Sequence, residues 1–197
     1  LKYRQKGWII MAEYSPQERK VLLQVAHDAI AYSLKHHMHM RLDINKYTKH
    51  LREQKACFVT LQINHNLRGC IGSLVAYQPL VVDVAHNASA AAFADPRFPG
   101  LTAAEFEQLS IHISILSEPE LMHFESEDDL LRQIRPGVDG LILSDGSYKG
   151  TFLPSVWESL PDPKQFLTHL KMKAGLAPNY WSNTVKVERY TVELIEC

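Results

Sequence analysis

The stretch Cys57-Phe58-Val59-Thr60-Leu61-Gln62-Ile63-Asn64-His65-Asn66-Leu67-Arg68-Gly69-Cys70-Ile71-Gly72-Ser73 decides the fold class. Cys57, Val59, Leu61 and Ile63 alternate with other residues, the period of a strand, because successive side chains of an extended chain point to opposite faces. Asn64-His65-Asn66 supplies a turn, and Leu67 to Ile71 returns as the second arm of an antiparallel hairpin. Residues two apart share a face, so Arg68, Cys70 and Gly72 are expected to point one way, and Leu67, Gly69, Ile71 and Ser73 the other. A guanidinium beside a thiol favours the thiolate, and the missing side chain at Gly72 leaves space for a ligand to approach.

Outward from this hairpin, helices and strands mix without regular alternation. Ser15-Pro16-Gln17-Glu18 reads as a capping box with Pro in the first turn, opening a helix to about Leu34. Pro79 opens a second helix to about Ala94, rich in small residues (Ala85, Ala88, Ala90, Ala91, Ala92) that permit close packing. Asp95-Pro96-Arg97-Phe98-Pro99-Gly100 ends it, since a residue before proline leaves helical geometry. Thr102 to Glu105 is another capping box, and Ile111, Ile113 and Ile115 mark a third strand. A short helix follows Ser126, and Asp145-Gly146 turns a second hairpin. Asp162-Pro163 starts a helix closed by Gly175, and Val185 to Ile195 reads as one closing strand. Hairpins mixed with helices predict an α+β protein with a mainly antiparallel sheet and flanking helices.

Composition bounds the function classes. The chain has 197 residues, 46% of them hydrophobic and 22% charged, with a net charge of −1. That suits a globular domain with a real core and argues against nucleic acid or an anionic membrane as an electrostatic partner. No apolar run approaches the roughly 18 residues of a membrane span. Cys57, Cys70 and Cys197 are an odd count at no metal-ligand spacing, which favours a reducing cytoplasm over a disulfide framework. Met11-Ala12-Glu13 reads like a natural start, so residues 1–14 are set apart as an N-terminal extension from a domain spanning 15–197.

Candidate site residues carry competing readings. Cys70 is a nucleophile or redox thiol, or a buried packing cysteine. Arg68 is its activator or an anion clamp. Gly69, Gly72 and Ser73 let a ligand meet the backbone, or mark a bulge where two chain segments cross. Asp95, just past a helix C-terminus, wants a cation, and Arg97 or Arg68 can provide it. The two bind a ligand or simply lock the loop. If Asp95 takes Arg68, Cys70 loses its activation. His86 and His112 are possible general bases. His36, His37 and His39 read as a solvated helix end, so no metal and no cofactor is expected. Tyr180-Trp181 reads as cap packing or an exposed patch.

The run Leu67 to Gly72, with Ala91-Ala92-Phe93 and Asp95-Pro96-Arg97-Phe98, resembles the AMMECR-one family, also called AmmeMemoRadiSam system protein A. Ile113-Ser114-Ile115-Leu116-Ser117, Phe152-Leu153-Pro154-Ser155-Val156-Trp157, Phe166-Leu167 and Lys173-Ala174-Gly175-Leu176 continue the resemblance over roughly residues 15–195. It implies an α+β fold, one domain of two lobes with a cleft between them, and a functional site at the Leu67–Gly72 run. It also implies a Memo-like protein and a radical SAM protein as partners, without a secure reaction. Ser155 departs from the glutamine common in the family. Two function classes follow: an accessory protein binding a partner, a peptide or a small-molecule ligand, and a cysteine-dependent enzyme built on Cys70.

Overall fold

The structure is a computed structural model and describes residues 2–5 and 8–196, with side chains over 12–196. In chain order the strands and helices are β1 (Lys2–Gln5), β2 (Trp8–Met11), α1 (Pro16–His36), β3 (Cys57–Ile63), β4 (Asn66–Gly72), α2 (Leu80–Phe93), α3 (Ala103–Phe106), β5 (Ser110–Leu116), β6 (Glu120–Leu121), α4 (Glu127–Gln133), β7 (Gly140–Asp145), β8 (Tyr148–Phe152), α5 (Pro163–Lys173), β9 (Lys186–Tyr190) and β10 (Val192–Ile195). The fold is α+β, as the sequence pattern predicts. It divides into two compact units, Ala12–Leu116 with Glu193–Cys197, and Leu1–Met11 with Ser117–Val192.

In the first unit a sheet of order β10-β5-β3-β4 carries the hairpin. The Ser15 hydroxyl accepts from the Glu18 N–H at 3.3 Å, while the Glu18 carboxylate takes the Ser15 N–H at 3.0 Å. These reciprocal bonds start α1, which ends two residues beyond the expected Leu34 on His37 in the left-handed region (φ 56). Its buried stripe Leu22, Val25, Ala26, Ala29 and Ile30 forms one core with Val81, Val84, Ala88 and Ala91 of α2 and with Cys57, Val59, Leu61, Ile111, Ile113 and Ile115 of the sheet. Small residues let the helices approach until the Ser33 and Ser89 hydroxyls meet at 2.7 Å in the interior.

The hairpin turn is two residues, Asn64 (φ 49) and His65 (φ 63), the geometry that matches strand twist. The ladder above it is irregular. Ile63 pairs with Asn66 and Gln62 with Leu67, but Leu61 pairs with Gly69, leaving Arg68 as an extra residue in β4. Such a bulge reverses the facing of everything beyond it. Regular pairing from the turn would set Cys70 opposite Val59, on the core face. The bulge sets Ile71 there instead and places Cys70 opposite Thr60. The expected common face for Leu67 and Gly69 is therefore corrected, because strict alternation fails across the inserted Arg68.

The second unit holds a sheet of order β6-β9-β7-β8, whose Leu141, Leu143 and Val187 pack with Trp157, Phe166, Leu167 and Leu170. Trp157 stacks on Phe166 at 3.7 Å, and its indole N–H donates to the Asp139 carbonyl at 2.7 Å. The Phe152–Trp157 motif is thus core architecture, while Ser155 within it is exposed. α5 closes as expected: Gly175 takes φ 87, and the Leu176 and Gly175 N–H groups return to Lys171 and Met172 at 3.0 Å each. Asp145 pairs with Tyr148, so the turn residues are Gly146 and Ser147. The expected single closing strand is two, broken at Thr191, which exchanges hydrogen bonds with Ser117. Tyr180 donates its hydroxyl to Asp145 at 2.8 Å, and Trp181 packs on Phe124, so the aromatic pair does packing work. Among the described residues, no helix is long and apolar enough to cross a membrane.

Candidate functional site

β4 is an edge strand of its sheet, and nearly every side chain from Arg68 to Gly72 has a local physical reason. The bulged Arg68 is buried. Its Nε donates to Glu105 at 2.8 Å, and its Nη2 donates to Glu105 at 3.2 Å and to the Pro99 carbonyl at 2.9 Å. Its guanidinium lies 5.7 Å from the Phe98 ring centroid, leaving Nη1 buried without a hydrogen-bond partner. Glu105 also receives the Thr102 N–H and hydroxyl at 2.9 Å each, completing the cap of α3. The Arg68 guanidinium, helped by Thr102, holds the Glu105 carboxyl down at about 2. Arg68 is thus spent on Glu105, not on Asp95 as one reading had it, and the activator role expected of it finds no support in its contacts.

Gly69 lies against α2, where a Cβ would come 2.1 Å from the Ala91 carbonyl oxygen. At Gly72 a Cβ would come 2.4 Å from both the Cys57 carbonyl and the Phe58 ring, so these glycines are positions of close crossing. Space for a ligand at Gly72 is filled by Phe58, its cross-strand partner, which corrects that expectation. Ser73 donates its N–H to the Cys57 carbonyl at 3.2 Å, and its hydroxyl closes a turn onto Val75 at 3.1 Å. Both of its polar groups have local partners.

Asp95 and Arg97 treat the edge at Cys70 as a neighbouring strand would. The Cys70 N–H donates to Asp95 at 2.9 Å, and Arg97 Nη2 reaches the Cys70 carbonyl at 3.4 Å. Asp95 is buried and receives Arg97 Nη2 at 2.7 Å, Nε at 3.0 Å and the Arg97 N–H at 3.1 Å. The Arg97 guanidinium, with these backbone donors, holds the Asp95 carboxyl well below the usual range against the cost of burial. Pairing with Asp95 in turn raises the Arg97 guanidinium, with smaller help from its proximity to Cys70. The cation beside Cys70 is Arg97, then, and a carboxylate already neutralises it. Capping an edge position in this way also blocks addition of another strand there.

The Cys70 side chain is half-buried on the face away from the core, where Thr60 donates its hydroxyl to Sγ at 3.3 Å. Thr60 pairs with Cys70 on one side and with His112 on the other, so the three form one row across β4, β3 and β5. His112 Nδ1 lies 3.0 Å from Glu196. His86 is exposed on α2, which packs on the opposite, core face, and its ring neighbours His39 at 4.9 Å. The structure does not bring His86 to Cys70, which removes it as a base. Cys57, in β3, is placed differently. It is buried, its thiol donates to Asp83 at 3.2 Å, and burial pushes that thiol up. Cys197 lies outside the described residues. Among those residues no cluster of three His, Cys, Asp or Glu side chains is arranged to hold a metal.

Thr60, Phe58, Glu105 and Glu196 are site neighbours that the sequence reading passed over. Thr60 is recoverable only when the bulge is known, since regular pairing puts Gly69 opposite it. Glu105 was visible as a cap residue, with nothing to mark its second role.

Comparison with known proteins agrees with this architecture. The family model AMMECR1 matches residues 23–195. Protein MJ0810 of Methanocaldococcus jannaschii is 36% identical over 164 residues, covering 79% of this chain and 80% of that protein. A protein of Methanothermobacter thermautotrophicus is 34% identical over 189 residues, covering 93% and 96%. The crystal structure of uncharacterized protein PH0010 from Pyrococcus horikoshii matches with a TM-score of 0.81 at 33% identity, covering 93% of each chain. With the family model spanning most of its length, this chain belongs to the AMMECR1 family.

Proposed function

We propose that this chain is an accessory protein that binds a partner or ligand on the open sheet face around Cys70. A Memo-like protein and a radical SAM protein are the partner classes that the family resemblance suggests. One observation carries the reading: from Arg68 to Gly72, Cys70 alone has a side chain that neither packs in the core, nor pairs with a carboxylate, nor is excluded by a close crossing. The surrounding charges serve its backbone, so the motif presents a thiol on a braced edge strand. A second reading, a cysteine-dependent enzyme, draws on the Thr60 hydroxyl at Sγ and on His112, held by Glu196, in the same cross-strand row.

Binding of purified Memo-like and radical SAM proteins to three forms of this chain separates the readings. The forms are the wild type, Cys70→Ser, and wild type alkylated at Cys70 with N-ethylmaleimide. The accessory reading expects alkylation to weaken binding by about tenfold or more, ~1.4 kcal/mol, with Cys70→Ser near wild type. Loss of deletion-strain complementation by Cys70→Ser, with partner binding intact, selects the enzyme. Unchanged partner binding after alkylation rules out this face as the interface.

A further inference from the structure

A cavity of about 630 Å3 opens where α1 passes the start of β5 and the β3–β4 turn. That size falls within the range of small-molecule sites. Its lining is of two kinds. Half-buried Leu23 and buried Ile111 give it an apolar floor, and Lys20, His27, His65 and His112 line it with nitrogen-bearing side chains from three elements. The acids nearby are already engaged: Glu196 lies 3.0 Å from His112, and Asp28 lies 3.5 Å from His27. Lys20 and His65 have no hydrogen-bond or ion-pair partner among the described residues. An apolar floor beside one unpaired ammonium and one unpaired imidazole selects for an anion carried on an apolar body.

We propose that this cavity binds a small organic carboxylate with an apolar body, the carboxylate at Lys20 and His65 and the body over Leu23 and Ile111. This goes beyond the accessory reading and does not rest on it, since Cys70 does not line the cavity. A carboxylate in place would accept charge-assisted hydrogen bonds from both groups without displacing either existing acid pair.

The test uses the full chain with 4-phenylbutyrate as probe and its neutral amide as control, read by calorimetry and by the histidine ring signals in NMR. The expected result is saturable binding of the acid with a Kd below ~5 mM and shifts at His27, His65 and His112, the amide binding about tenfold more weakly. Lys20 is exposed, so Lys20→Glu is expected to leave the melting temperature unchanged while weakening the acid about tenfold. No saturable binding up to ~10 mM overturns the site. So does an amide that binds as tightly as the acid, or a Lys20→Glu variant that binds the acid like wild type.

Discussion

Gly69→Ala is expected to destabilise the protein by about 3 kcal/mol or more, lowering its melting temperature by roughly 6–12 °C. The added methyl would sit 2.1 Å from the Ala91 carbonyl oxygen and 3.0 Å from the Ala91 carbonyl carbon, both backbone atoms of α2. No side chain can rotate away to relieve this. Either α2 or β4 must retreat, and Leu61 sits opposite Gly69 in the ladder, so retreat loosens the buried centre of the sheet. Gly146→Ala supplies the contrast. Its φ of 57 strains an alanine, but nothing lies within 4 Å of a Cβ there, so about 1 kcal/mol is expected. Thermal and urea denaturation of both variants measure the difference. Equal, small losses would mean that the crossing of β4 over α2 is looser than described.

Arg68→Ala is the second large effect, about 3 kcal/mol near neutral pH. It removes both donors to Glu105 and the donor to the Pro99 carbonyl, and with them the anchor of the bulge. The loss should depend on pH with a defined sign. Folding lowers the Glu105 carboxyl from 4.5 to about 2. A group depressed on folding contributes stability that is fully present above its unfolded value and is lost as pH falls through the folded one. The gap between wild type and Arg68→Ala should therefore be widest above about pH 5 and shrink as pH falls toward 2. A gap that stays constant down to pH 2 would show that the guanidinium contributes packing over Phe98 and not its charge.

Much of the architecture is legible in residue order because it is locally determined. The capping boxes at Ser15 and Thr102, the Asn64-His65 turn and the αL glycine at 175 all act within a few residues. The facing of Cys70 is not local. It depends on a bulge at Arg68, and that bulge is anchored by a carboxylate 37 residues away. Alternation read from one arm of a hairpin assigns faces only when the ladder is regular. Asp95 finding Arg97 two residues on was foreseeable from the helix end that precedes it. The break at Thr191 was not, because apolar alternation runs through it while the hydrogen bonds of Ser117 interrupt the strand. The sequence puts His86 on a helix and His112 on a strand, but only the packing sets where each lies relative to Cys70, one over the core face and one in register with Thr60.

The Arg68 bulge turns Cys70 onto the open face of the sheet while Cys57 stays in the core. The most direct test is the alkylation rate of each cysteine in the folded protein, read by peptide mass spectrometry, in wild type and in a variant with Arg68 deleted. In wild type, Cys70 should react in the native state and Cys57 only on unfolding. Deletion removes the extra residue and leaves Cys70 opposite Thr60 in a regular ladder, so a folded variant should keep Cys70 reactive and Cys57 protected. A wild-type Cys70 that reacts no faster than Cys57 would contradict the account and return the thiol to the core.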